Sequence, residues 1–124
     1  MPFLTTYDPY RRLVVVTPDG DCDFFDGVTM LRGLAAAPLR PGCAGVLADL
    51  RCVTYLASQA EVQAFAEHIA GLGALPFAVV AAGGMHLGVA NQLAGYAGLR
   101  GARVGAFTEP GAAAAWLAAG GPAR

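Results

Sequence analysis

The segment that most constrains the fold of this chain spans residues 46–58 and reads VLADLRCVTYLAS. It opens with an uninterrupted apolar run, which is typical of a strand buried on both faces of a parallel sheet. That strand ends near Asp49, and Ser58 stands where a helix can begin. In parallel α/β sheets, the loops that leave the carboxyl ends of strands are where ligands and partners are met. We therefore expect an α/β fold with a binding site after this strand.

The rest of the chain predicts one domain spanning residues 1–124. Strands are expected at residues 4–7, 13–17, 46–50, 77–82 and 104–107. Helices are expected after Asp21 or Asp23, at Ser58, after Gly84 and at Pro110. This order predicts a mostly parallel, mixed five-stranded sheet with an opening β-hairpin and about four helices. Right-handed crossovers should join its parallel strands.

The composition limits the classes of partner that this protein is expected to bind. The chain is 56% hydrophobic and 14% charged, which exceeds what one small core readily covers, so we expect either a homodimer or an apolar cleft. A net charge of −1 provides no field that attracts nucleic acid or anionic membranes. No apolar stretch approaches the length that spans a bilayer, so we predict neither a nucleic-acid partner nor membrane insertion.

The cysteines and the amino terminus predict a cytoplasmic protein. Cys22, Cys43 and Cys52 are odd in number and contain no C-x-x-C pair, which favours reduced thiols. The first residues show no signal-peptide pattern.

Several residues resemble a known family, the STAS domains of bacterial anti-sigma-factor antagonists. Asp49-Leu50 matches the strand end of those domains, and Tyr55-Leu56 matches the aromatic-hydrophobic pair that precedes their Asp-Ser-Ser-Gly turn. Here Ala57-Ser58-Gln59-Ala60 occupies the place of that turn, so Gln59 replaces the second Ser. The resemblance implies a STAS-like fold and a regulatory, protein-binding role without the usual phospho-acceptor motif.

The carboxyl-terminal half resembles a divergent bacterial branch of STAS-like proteins that is grouped with CRAL-TRIO lipid-binding domains. The residues that carry this likeness are FAVVAA at 77–82, VGAFTE at 104–109 and AAWL at 114–117. This likeness implies a second function, the binding of an apolar or lipid ligand beside the helix at residues 83–96.

Each candidate residue in this region has a structural as well as a functional interpretation. Asp49 is placed either to hold a partner or to accept amides of its own loop. Ser58 is either a phosphate acceptor or an ordinary helix cap, and the sequence Ser58-Gln-Ala-Glu61 fits a capping box. Gly84 and His86 either present amides and an imidazole to an anion or form a tight turn and a solvated first helical turn.

No pattern in the chain predicts a cofactor, a metal site or a catalytic constellation. Asp19, Asp21 and Asp23 alternate as in a calcium loop, but the later ligand positions of such a loop do not match. A thiol enzyme centred on Cys52 is the remaining catalytic alternative. We predict a non-catalytic regulatory or interaction domain, with an apolar ligand carrier as the alternative. The predicted partner or ligand residues are Asp49, Tyr55, Ser58, Gln59, Gly84 and His86.

Overall fold

A computed structural model describes residues 3–37 and 40–120 of the chain. In chain order, the elements are β1 (Phe3–Asp8), β2 (Leu13–Pro18), α1 (Phe24–Ala36), β3 (Gly45–Asp49), α2 (Gln59–Ala70), β4 (Phe77–Val80), α3 (Met85–Leu99), β5 (Val104–Phe107) and α4 (Pro110–Ala119). The sheet order is β1-β2-β3-β4-β5. Strand β1 is antiparallel to β2, and the other pairs are parallel. The predicted α/β fold class is confirmed.

The helices divide between the two faces of the sheet. Buried residues of α1, α2 and α3 pack with Val14, Val46 and Phe77 in one core cluster. Leu117 of α4 packs with Leu13 and Leu47 in a second cluster on the opposite face. This arrangement is what right-handed crossovers produce when each strand is added on the same side of the previous one.

Two helices on the first face begin with reciprocal side-chain caps. At α1, the Asp23 carboxylate accepts from the Asp26 amide at 3.0 Å, while the Asp26 carboxylate accepts from the Asp23 amide at 2.9 Å. At α2, Ser58 and Glu61 form the same type of box. The sequence allowed either Asp21 or Asp23 as the cap of α1, and in the structure the cap is Asp23.

Strand β4 is shorter than predicted. It ends at Val80 rather than Ala82 because its neighbour β5 ends at Phe107, whose carbonyl accepts the last ladder bond from the Ala81 amide at 2.8 Å. The chain then turns through Gly84, which has φ +67°.

None of the helices in the described ranges is long and apolar enough to cross a membrane.

The sheet and α4 lie close together at Gly45, the first residue of β3. A Cβ atom placed there would lie 2.7 Å from the Pro76 carbonyl oxygen and 2.7 Å from Leu117 Cδ2. A Cβ atom at Gly45 therefore fits only if β3 moves away from Pro76, which precedes β4, and from Leu117 of α4.

The Gly45→Ala variant is therefore expected to lower the free energy of unfolding by about 1–3 kcal/mol. Denaturant unfolding measures this change. The matched control is Gly33→Ala in α1, where a new Cβ meets no atom within 4 Å, and the lower backbone entropy of Ala should stabilise the helix by about 0.5–1 kcal/mol. Equal stability of the two variants would contradict the close packing described here.

Candidate functional site

An apolar cavity of about 130 Å³ lies between the sheet and helices α1, α2 and α3. Its floor is formed by side chains of β3 and β4, and its walls by the three helices. The loop at residues 50–57 covers the end that lies at the carboxyl edge of the sheet. The lining from the sheet and helices includes Ala48, Phe77, Val79, Ala81, Gly27, Met30, Leu31, Val62, Phe65, Ile69, Val89, Ala90 and Leu93.

The cavity borders alanines on two sides and aromatic rings on another. Ala48 lies on β3, Ala81 follows the last residue of β4 and Ala90 lies on α3, and all three are buried. On the opposite wall, the Phe65 ring of α2 fits against Gly27 of α1, where an added Cβ would lie 2.8 Å from Phe65 Cε1. The ring centroids of Phe24 and Phe65 lie 5.1 Å apart. Small side chains therefore leave the space, while close aromatic packing keeps α1 and α2 together.

Tyr55 and Glu61 form the main polar contact of the covering loop. The Tyr55 hydroxyl donates a hydrogen bond to the Glu61 carboxylate, and the same oxygen accepts from the Ser58 amide at 2.9 Å. Burial, and then the bond to Glu61, raise the pKa of Tyr55. The bond from Tyr55, followed by that from Ser58, lowers the pKa of Glu61. One carboxylate thus caps α2 and fixes the ring of Tyr55 at the cavity.

His86 joins α3 to this loop. Its Nε2 atom lies 3.3 Å from the Thr54 carbonyl oxygen, and its side chain lines the cavity. Gly84 provides the entry to α3 with φ +67° and ψ −131°. Only glycine adopts that conformation readily. The helix that begins after Gly84 has no side-chain hydrogen bond to cap its first amides.

The Asp49 carboxylate is oriented within its own loop. Its oxygens accept from Arg51 Nε at 2.9 Å and Nη2 at 2.8 Å, and from the Arg51 amide at 3.3 Å. The side-chain bond from Arg51 is the main cause that lowers the pKa of Asp49. This geometry corresponds to the interpretation in which Asp49 shapes the loop.

All six sequence-predicted residues lie at the carboxyl edge of the sheet or at the start of the following helix. Tyr55 and His86 line the cavity. Ser58 caps α2 through its hydroxyl, which accepts from the Glu61 amide at 3.3 Å. The Gln59 amide donates to the Tyr96 hydroxyl at 2.9 Å and so connects α2 with α3.

Sequence reasoning missed most of the cavity wall, including Cys22, Asp23 and Phe3. Phe3 reaches the cavity because β1 runs antiparallel to β2, which brings its first residue opposite Pro18 at the carboxyl edge. The alanines within predicted buried strands were the available signal, since small side chains at such positions leave space between layers.

The chemistry of the cavity is that of apolar contact. No group of three or more His, Cys, Asp or Glu side chains in the described part of the chain is placed to hold a metal ion. At the cavity, burial and then the nearby Asp26 raise the pKa of Cys22, which favours the thiol over the nucleophilic thiolate.

No protein family, characterised protein or solved structure compared with this chain matches it.

Replacing Tyr55 with Phe should raise the pKa of Glu61 toward its ordinary value, because the carboxylate loses a donor. A lowered pKa stabilises the fold above the ordinary pKa, and this stabilisation disappears as the pH falls through the lowered value. As the pH falls from neutral through the lowered pKa of Glu61, the Tyr55→Phe variant should therefore lose less unfolding free energy than the parent. NMR titration of the Glu61 carboxyl carbon measures its pKa.

The control for this experiment is Tyr96→Phe, which removes a hydroxyl bonded to Gln59 rather than to a carboxylate. It should leave the Glu61 pKa unchanged. A Glu61 pKa that stays low in Tyr55→Phe would show that the Tyr55 hydroxyl does not stabilise the carboxylate.

Proposed function

We propose that this protein binds a small apolar molecule, or the apolar end of a larger one, in the cavity between the sheet and α1–α3. The observation that carries this proposal is the cavity itself, whose volume is about 130 Å³ and whose walls are nearly all hydrocarbon. Dry cavities of about 150 Å³ lined by Leu, Ile and Phe bind benzene. A monocyclic ring or a chain of about six carbons therefore suits this volume.

The position of the cavity supports the same function. It ends under a loop without regular secondary structure, which the Tyr55 and His86 contacts attach to α2 and α3. Such a loop can open without unfolding a helix, because few hydrogen bonds must break. The likeness to the STAS-like branch grouped with CRAL-TRIO domains also favours an apolar ligand. In this proposal the protein is a carrier or sensor and catalyses no reaction.

A second candidate function is that of a STAS-like regulatory domain that acts as a homodimer. Its support is a set of exposed apolar side chains at the carboxyl edge, one from each segment that follows β2, β3 and β4: Phe25, Leu56 and Met85. Phe25 is 74% and Met85 is 71% exposed, so a partner surface could cover much of both. In contrast, Tyr55 and Gln59 already make hydrogen bonds within the chain, which favours the ligand as the main proposal.

The ligand proposal predicts that toluene binds the parent protein and raises its thermal midpoint. The Ala90→Leu variant should fill the cavity, raise stability in the absence of ligand and abolish the toluene-dependent shift. The control is Ala115→Leu, which adds the same atoms at an exposed position of α4 on the other face. Thermal denaturation at several toluene concentrations, together with NMR spectra of lining methyl groups, measures both effects.

Two outcomes would reject the ligand proposal. One is a parent protein that shows no toluene-dependent change in lining methyl resonances. The other is Ala90→Leu binding toluene as well as the parent does, since the ligand would then occupy another place.

The dimer proposal predicts a mass of two chains in native mass spectrometry of the freshly purified protein. The double variant Phe25→Ser, Met85→Ser should weaken the dimer at least about tenfold, because it removes two apolar side chains from the contact. Tyr10→Ser is the control, since Tyr10 is 99% exposed but lies at the opposite edge of the sheet. A monomeric parent, or a dimer as tight in the double variant as in the parent, would reject this surface.

A further inference from the structure

We infer that the cavity selects its ligand by charge: it accepts uncharged apolar molecules and discriminates against those that end in a carboxylate. This inference rests on the ligand-binding function proposed above and names the chemical class that the site takes. Its basis is the placement of acidic side chains around the covered end of the cavity.

The charges of this protein are separated along the strand direction. The segment between β2 and α1, together with the first turns of α1 and α2, contributes Asp19, Asp21, Asp23, Asp26 and Glu61 at the carboxyl edge. The opposite edge carries Arg11, Arg12, Arg40, Arg100 and Arg103, which lie in the segments that lead into β2, β3 and β5. A ligand that enters beside the covering loop therefore meets the acidic edge.

Two of these residues adjoin the cavity. Asp23 is a lining residue, and Glu61 accepts the hydroxyl of the lining residue Tyr55. The acidic side chains of the segment before α1 also act on Cys22, a residue of the cavity wall. Burial is the largest cause that raises the pKa of Cys22; Asp26, Asp21 and Asp23 raise it further, while a backbone hydrogen bond at Asp19 lowers it. The same negative field opposes a ligand carboxylate placed at this end.

Positive features at the same edge are weaker or already used. Arg51 is paired with Asp49, and the His86 ring is held against the Thr54 carbonyl. The amino termini of α1 and α2 each carry a capping box that includes a carboxylate, from Asp23 and Asp26 in α1 and from Glu61 in α2. The amino terminus of α3 has no side-chain cap, but a helix end carries only about half a unit charge. Asp23 and Glu61 each carry a full negative charge at the same edge.

The experiment compares hexan-1-ol, hexylamine and hexanoate, which share one chain length and differ in charge at pH 7. Titrations followed by NMR of lining methyl groups give each dissociation constant. Hexanol is expected to bind, and hexanoate is expected to bind at least about tenfold more weakly, since two nearby carboxylates oppose it. Added salt should narrow that gap by screening the charges. Hexylamine, which is positively charged, should not show the loss of affinity relative to hexanol that is expected for hexanoate.

Two substitutions remove charge while keeping the hydrogen bonds. Gln at position 61 can complete the capping box and accept from Tyr55, and Asn at position 23 remains a good helix cap. Glu61→Gln and Asp23→Asn should each reduce the ratio of the hexanoate to the hexanol dissociation constant about threefold. The matched control is Glu67→Gln, which removes the same charge from the far end of α2, where Glu67 pairs with Arg100. Glu67→Gln should leave the ratio of the hexanoate to the hexanol dissociation constant unchanged.

The outcomes separate the two proposals. If hexanol and hexanoate bind equally, or hexanoate binds more tightly, charge selection is wrong while the cavity remains a binding site. If none of the three compounds binds, the proposed ligand-binding function is wrong, and charge selection is wrong with it. Relief of the hexanoate penalty in both cavity-edge variants, but not in Glu67→Gln, supports the inference.

Discussion

The handedness of the crossover connections is the constraint on which the rest of this structure depends. The sheet adds β3, β4 and β5 in sequence order, so right-handed connections place α1, α2 and α3 on one face. Because β2, β3 and β4 run parallel, the amino ends of these helices and the loops before them lie at one edge of the sheet. The cavity, its covering loop and the acidic side chains therefore share one end of the molecule. The remaining helix, α4, packs on the other face of the sheet, and its residues are not among those that line the cavity.

Glu61 connects local helix formation with the site. Its carboxylate caps α2 by accepting from the Ser58 amide and also accepts from the hydroxyl of Tyr55, six residues earlier in the chain. A capping box stabilises only the start of a helix. Here it also determines where the covering loop rests, because the bonded ring of Tyr55 forms part of the cavity wall. Folding of α2 and closure of the cavity are thus coupled through one side chain.

The sequence was sufficient to predict features that depend on neighbouring residues. The strand before Asp49 and the box between Ser58 and Glu61 follow from apolar continuity and from a spacing of three residues. The hydrogen bond from Gln59 to Tyr96 joins residues 37 positions apart, and no local pattern encodes it. The cavity was also beyond prediction in detail, because an unfilled volume depends on how several alanines from separate elements face one another.

The two faces of the sheet are packed to different degrees, and the difference has an energetic consequence. On the α4 face, Leu117 and Pro76 leave no room for even a Cβ at Gly45. On the other face, a cavity of about 130 Å³ remains, and the side chains that line it lack van der Waals partners on that side. A ligand that fills the cavity would supply these contacts. The unequal packing therefore gives the proposed ligand a place where its binding would stabilise the fold.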